Sequence, residues 1–153
     1  KEKASYISNE PIINWLLKQE DEMGLDTPKP YNEFAERAFK HKKNLVDLID
    51  ALVKDGKKVF GYGASTKGNV LLQFCNLTSK QIPYIAEVNE EKFGSYTPGS
   101  HIPIISENEA KAMSPDYFLV LPWHFKNNIL AREKEFLANG GKFIFPLPEI
   151  EII

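Results

Sequence analysis

The sequence predicts an α/β fold of the Rossmann-like, three-layer kind: a mostly parallel sheet with helices on its faces, preceded by two helices. Three observations predict it. From Lys57 onward, short apolar runs alternate with amphipathic stretches, as they do when parallel strands are joined by crossover helices. Val59-Phe60-Gly61-Tyr62-Gly63-Ala64-Ser65-Thr66-Lys67-Gly68-Asn69 reads as a buried strand, a glycine turn and the first turn of a helix. The chain's 153 residues, 42% hydrophobic and 26% charged, suit one domain with a sizeable core. The expected organisation is a helical lead-in over residues 1–56 that packs on a Rossmann-like domain over 57–153, one structural domain overall.

Each element has its own signal. Glu10 to Met23 carries Ile12, Ile13, Trp15, Leu16, Leu17 and Met23 near helical spacing, and Gly24 stops it. Thr27-Pro28-Lys29-Pro30 is a connector. A second helix is expected from Tyr31 to Lys54, with Phe34, Ala38, Phe39, Leu45, Leu48, Ile49 and Leu52 on one face and Asp55-Gly56 as its end. Lys58–Tyr62 is the first strand and Thr66–Cys75 the helix after it. Ile82–Glu87 is the second strand, followed by a loop from Asn89 to His101 and a short extended piece, Ile102–Ile105. Ser106 and Glu109 make a capping box for a short helix that ends near Met113. Tyr117–Leu121 is a strand. Phe125–Ala138 is a helix stopped by Asn139-Gly140-Gly141, Lys142–Phe145 is a strand, and Ile150–Ile153 offers one more.

Composition narrows the function. A formal net charge of −2 gives no support for nucleic acid or an anionic membrane as partner. Cys75 is the lone cysteine, which excludes an intrachain disulfide and a multi-cysteine zinc site; set among Leu71, Leu72 and Phe74, it reads as a buried thiol. His41, His101 and His124 have no metal-ligand spacing. No apolar run approaches membrane-span length and no signal peptide is read at the start, so the cytoplasm is the expected compartment. Opening on Lys1, the chain reads as a piece of a longer protein.

The expected chemistry sits at the carboxyl ends of the strands, where open α/β sheets bind ligands. The Gly61–Gly68 turn can bring backbone N–H groups to an anion, with Lys67 adding charge and Ser65 and Thr66 adding hydroxyls. A phosphate-bearing ligand is the expected guest, although Gly61, Gly63 and Gly68 match neither the dinucleotide fingerprint nor a Walker A loop. Glu87, ending the second strand, is placed to take ribose hydroxyls or to be an exposed strand-end carboxylate. Asn89 and the loop through Tyr96, Ser100 and His101 follow it. Trp123 reads either as a stacking platform or as core, and His124 either as an acid–base group or as a structural residue at a helix start.

Gly61-Tyr62-Gly63-Ala64-Ser65-Thr66-Lys67-Gly68-Asn69, Tyr96-Thr97-Pro98-Gly99-Ser100-His101-Ile102-Pro103-Ile104 and Leu121-Pro122-Trp123-His124-Phe125, in that order, resemble the C-terminal domain of nucleotide-sugar C-methyltransferases. The likeness covers nearly the whole chain. One departure is Glu87, where family members tend to carry Asp. The resemblance implies a substrate-binding domain for a nucleotide-diphosphate sugar, with S-adenosylmethionine, zinc and the catalytic base in other domains of the parent protein and the central methyltransferase domain of the same chain as partner. On that reading no catalytic residue lies here, and the fragment alone is expected to be inactive. The substrate contacts it implies are Gly61, Gly63, Ala64, Ser65, Thr66, Lys67, Gly68, Glu87, Asn89, Tyr96, Ser100, His101, Trp123 and His124. Two other classes stay open: a free-standing dinucleotide- or CoA-binding domain, and a non-catalytic interaction module whose aromatic helices (Trp15, Tyr31, Phe34, Phe39) pack on a partner.

Overall fold

A computed structural model describes residues 8–153; the first seven residues of the expected lead-in lie outside the described residues. The chain divides into two compact units, residues up to Lys40 and His41 to Ile153. The first holds α1 (Glu10–Met23) and the first part of α2 (Lys29–Lys54). Gly24 ends α1 in the left-handed conformation, φ +66°, and its N–H and that of Leu25 donate to the carbonyls of Asp21 and Glu20. The Tyr31 hydroxyl donates to the Leu25 carbonyl at 2.9 Å, which ties the connector to the start of α2. Among the described residues no helix is long and apolar enough to cross a membrane.

The second unit is built on a six-stranded sheet: β1 (Val59–Tyr62), β2 (Ile85–Glu87), β3 (Ile104–Ser106), β4 (Tyr117–Val120), β5 (Lys142–Phe145) and β6 (Glu151–Ile152). The spatial order is β3-β2-β1-β4-β5-β6, parallel except for β6, which runs antiparallel to β5. The α/β class and the mostly parallel sheet are therefore as the sequence predicts. The chain leaves β1 towards β2 on one side and pairs it with β4 on the other, so the order reverses beside β1. That is where such sheets open a crevice at their carboxyl edge.

Strand alternation fills both faces. Val59, Ile85, Leu119 and Ile144 face one layer with Leu45 and Ile49 of α2 and Leu71 and Leu72 of α3 (Thr66–Phe74). Phe60, Tyr62, Phe118, Val120, Phe143 and Phe145 face the other, against α4 (Glu107–Ala112), α5 (Lys126–Arg132) and α6 (Lys134–Ala138). The second layer is aromatic: the Tyr62 ring meets those of Phe118 and Phe143 edge-on at 5.2 and 5.4 Å. Each Phe of that layer that is removed from water contributes about 2–3 kcal/mol by burial, before its ring contacts are counted. Cys75 is buried in the first layer, and burial pushes its thiol up from the ordinary value.

Several elements differ from the sequence reading, and α2 takes in Lys29 and Pro30 of the expected connector. β2 and β3 begin at Ile85 and Ile104, not at Ile82 and Ile102, because Pro83 and Pro103 have no N–H to give the ladder. The long helix expected over Phe125–Ala138 is a 3₁₀ turn, Trp123–Phe125, followed by α5 and α6. The two helices part at Glu133 (φ −99°, ψ 27°), whose side chain turns inward and is 3% exposed.

Gly63 is the joint between β1 and α3. Its φ is +80°, and a Cβ there would lie 2.8 Å from Pro122 Cγ, at the end of the neighbouring β4. Gly63→Ala is therefore expected to cost about 2 kcal/mol or more, read as a lowered urea midpoint with an unchanged slope. An unchanged midpoint would show that the turn is not under this constraint.

Candidate functional site

A cavity of about 470 Å³ opens at the carboxyl ends of β1 and β4. The β1–α3 turn supplies one wall through Gly63, Ala64, Ser65 and Thr66. Glu87, Val88 and Lys92 come from the end of β2 and the 3₁₀ turn Glu90–Lys92 after it. Pro122, Phe125, Asn128, Ile129 and Arg132 come from the far side, with Glu107 at the start of α4 and Tyr62 at the end of β1.

Glu87 organises the near wall. One carboxylate oxygen accepts from the N–H groups of Val88 and Asn89 at 2.8 and 3.0 Å. The other accepts from the Ala64 N–H at 2.8 Å and from Lys92 Nζ at 3.2 Å. Lys92 also donates to the Ala64 carbonyl at 3.0 Å. With two donors on each oxygen, Glu87 has no acceptor position left for a ligand. Burial alone would raise its pKa; the hydrogen bonds from Asn89, Val88, Lys92 and Ala64 outweigh burial and hold it below the ordinary carboxylate value.

The N-terminus of α3 is set by Ser65, whose hydroxyl caps the Gly68 N–H at 3.0 Å. Ala64 and Gly68 thus have internal partners for their N–H groups. The N–H groups of Ser65, Thr66 and Lys67 have none among the described residues.

Behind the far wall lies an ion network centred on the buried Glu133 carboxylate. The Tyr62 hydroxyl donates to Glu133 Oε1 at 2.8 Å, and Arg132 Nε donates to the same oxygen at 3.1 Å. Lys111 Nζ pairs with Glu133 Oε2 at 2.7 Å. Arg132 Nη2 bonds both Glu107 Oε1 and the Tyr62 oxygen. Burial drives the Tyr62 phenol well above its ordinary value against the pull of Arg132, so it stays a neutral donor. Burial of Glu133 is overcome by hydrogen bonds from Lys111 and Tyr62 and by the charges of Lys111 and Arg132, which hold its carboxyl down.

The structure brings together Gly63, Ala64, Ser65, Thr66 and Glu87 of the residues singled out from sequence. Gly61 is buried inside β1 against Ile85, and Gly68 is buried beneath Leu121; neither lines the cavity. Lys67 is exposed and outside the lining. Asn89 is also outside it, its side chain accepting from the Glu91 N–H. Tyr96, Ser100 and His101 belong to a loop held elsewhere. Gln73 of α3 donates to the Pro98 carbonyl at 3.0 Å, Ser100 is buried on the Thr97 hydroxyl, and His101 sits at φ +53°. Trp123 packs on the aromatic layer, and His124 is exposed against Phe125. Tyr62, Lys92, Glu107, Asn128 and Arg132 went unmarked in the sequence. Lys92 lies in the loop after the second strand, Glu107 beside the Ser106 cap and Arg132 within the expected last helix, and nothing adjacent in sequence marks them as a site.

Glu87 and Glu133 share one pH signature. Their folded-state pKa values lie below the unfolded ones, so the stability they confer is complete above about pH 4.3 and is lost as pH falls through the folded values. Glu87→Gln is expected to cost about 2–3 kcal/mol at pH 7 and progressively less towards pH 3, by urea unfolding across that range. A difference that stays constant with pH would contradict this role for the charge.

Comparison with known proteins places the whole chain. A family model described as the C-methyltransferase C-terminal domain matches residues 1–148. The C-methyltransferase NovU of Streptomyces niveus is 41% identical over 143 residues, covering 94% of this chain and 34% of its own length. The chain thus spans about a third of that relative. The UDP-N-acetylmuramate–L-alanine ligase of Salinispora tropica is 30% identical over 87 residues, 55% of this chain and 16% of its own.

Proposed function

The chain belongs to the family of C-methyltransferase C-terminal domains, and from that footing we propose that it holds the substrate of a C-methyltransferase acting on a nucleotide-linked keto-deoxysugar. The observation that carries the reading is the cavity where the strand order reverses. It combines unpartnered N–H groups at Ser65 and Thr66 with a lysine, Lys92, whose third proton has no partner among the described residues. A diphosphate fits donors of that kind, and the sugar or nucleoside would lie towards Phe125, Asn128 and Arg132. The ligase among the relatives carries a UDP-linked sugar in its name, which agrees with a nucleotide-sugar ligand.

The methyl donor, S-adenosylmethionine, would bind elsewhere in the longer protein. Its ribose needs an open acceptor at the end of β2, and Glu87 is saturated, so the residues present do not fit it. The same saturation weighs against the dinucleotide alternative. Zinc, too, is proposed to belong to the other domains of the longer protein, as the family resemblance implies. The work of this domain is then orientation, which converts a two-substrate reaction into a nearly unimolecular one. Its proposed partners are the nucleotide-sugar and the catalytic domain of the same protein, in the cytoplasm.

Lys92→Ala is expected to weaken UDP-glucose binding to the chain about tenfold, as loss of a charge-assisted phosphate contact does. Lys67→Ala, outside the cavity, is expected to change it by less than about threefold. Calorimetric or NMR titration separates the two. The reverse ranking would move the phosphate to the outer face of α3, and no binding by the unmodified chain would remove the proposal's basis.

A further inference from the structure

Resting on the nucleotide-sugar reading of the cavity, we infer that Glu107, backed by Arg132, is the subsite for the vicinal hydroxyls of the bound ligand's ring. The acceptor inventory leads there. Three carboxylates surround this region, and each uses its oxygens differently. Glu87 takes two donors on each oxygen and is full. Glu133 is not on the cavity wall and is occupied by Tyr62, Arg132 and Lys111. Glu107 is on the wall, with one donor on each oxygen: Arg132 Nη2 on Oε1 and Lys111 on Oε2, the latter at a long 3.5 Å. It is the cavity carboxylate that keeps a lone-pair position on both oxygens, the pattern a pair of neighbouring hydroxyls requires.

Arg132 completes the subsite with donors. Its Nε is held by Glu133 and its Nη2 by Glu107 and Tyr62, and its guanidinium lies 5.5 Å from the centre of the Tyr62 ring. The Nη1 edge has no partner among the described residues. The fork is therefore pre-oriented before a ligand arrives. Charge favours a hydroxyl over a second phosphate here. Glu107 and Glu133 balance Arg132 and Lys111, so the cluster carries no excess positive charge. Phe125 and Ile129 on the same wall give the C–H face of a ring an apolar surface.

Two rings of a nucleotide-sugar carry vicinal hydroxyls, the ribose and the hexose, and ligand pairs distinguish them. The purified chain is titrated with UDP-glucose, UDP, 2′-deoxy-UDP and inorganic pyrophosphate, followed by NMR or calorimetry, and again as Glu107→Gln. If the hexose is held, UDP-glucose binds about tenfold more tightly than UDP and the substitution removes that margin. If the ribose is held, UDP binds about tenfold more tightly than 2′-deoxy-UDP and the substitution removes that margin instead. In both cases pyrophosphate binding is unchanged by the substitution. Equal affinities across the nucleotide ligands, or margins that survive Glu107→Gln, overturn the hydroxyl subsite while leaving the phosphate reading in place. Failure of all four ligands to bind overturns both. Should Glu107→Gln lose its folded spectrum, Arg132→Lys, which removes the free fork edge, carries the same comparison.

Discussion

The Glu87 carboxylate is the contact on which the ligand edge of this sheet depends. It sits at the end of β2 and binds the backbone of the glycine turn, the backbone of its own loop and the Lys92 side chain. The turn after β1 has the shape and N–H groups of an anion site, and part of that capacity is filled by the protein's own anion. Without it, the N–H groups of Ala64, Val88 and Asn89 would lose their acceptor, and Lys92 would lose its anchor beside the cavity. One internal ion pair thus fixes the shape of the wall and decides which groups remain for a ligand.

Much of the architecture was legible because apolar alternation and turn chemistry act locally. The expected strands Lys58–Tyr62, Tyr117–Leu121 and Lys142–Phe145 are found within one residue of those bounds, and Ser106 with Glu109 forms the expected capping box with both reciprocal bonds. What local pattern missed was governed by distant partners. Pro83 and Pro103 shortened their strands by withholding an N–H from the ladder. The break at Glu133 comes with its side chain committed to Tyr62, far away in sequence.

The site was legible in part for the same reason. The glycine turn and Glu87 stand next to their own sequence signals. Lys92, Glu107 and Arg132 acquire meaning only when three separate crossovers bring them to one edge. Charged residues on helices and loops usually face solvent, so nothing in their neighbours marked them out. The aromatic and histidine-bearing loop from Tyr96 to His101 carried the stronger sequence signal. In the fold it is tied down by Gln73 and by its own Thr97–Ser100 hydrogen bond.

The electrostatics of the cavity set its manner of recognition. Each cation on its wall is paired, Lys92 with Glu87 and Arg132 with Glu107 and Glu133, so a ligand is met by oriented hydrogen-bond donors and acceptors more than by bulk positive charge. Such a site selects by geometry, which suits the proposed role of orienting a substrate. The most direct measurement is a backbone and arginine side-chain NMR titration of the chain with UDP-glucose. The account predicts that the largest shifts fall on the amides of Ser65, Thr66 and Lys67 and on Lys92 and Arg132 Nε. Shifts centred on Tyr96 to His101 or on Trp123 and His124, with Ser65 to Lys67 unmoved, would contradict it.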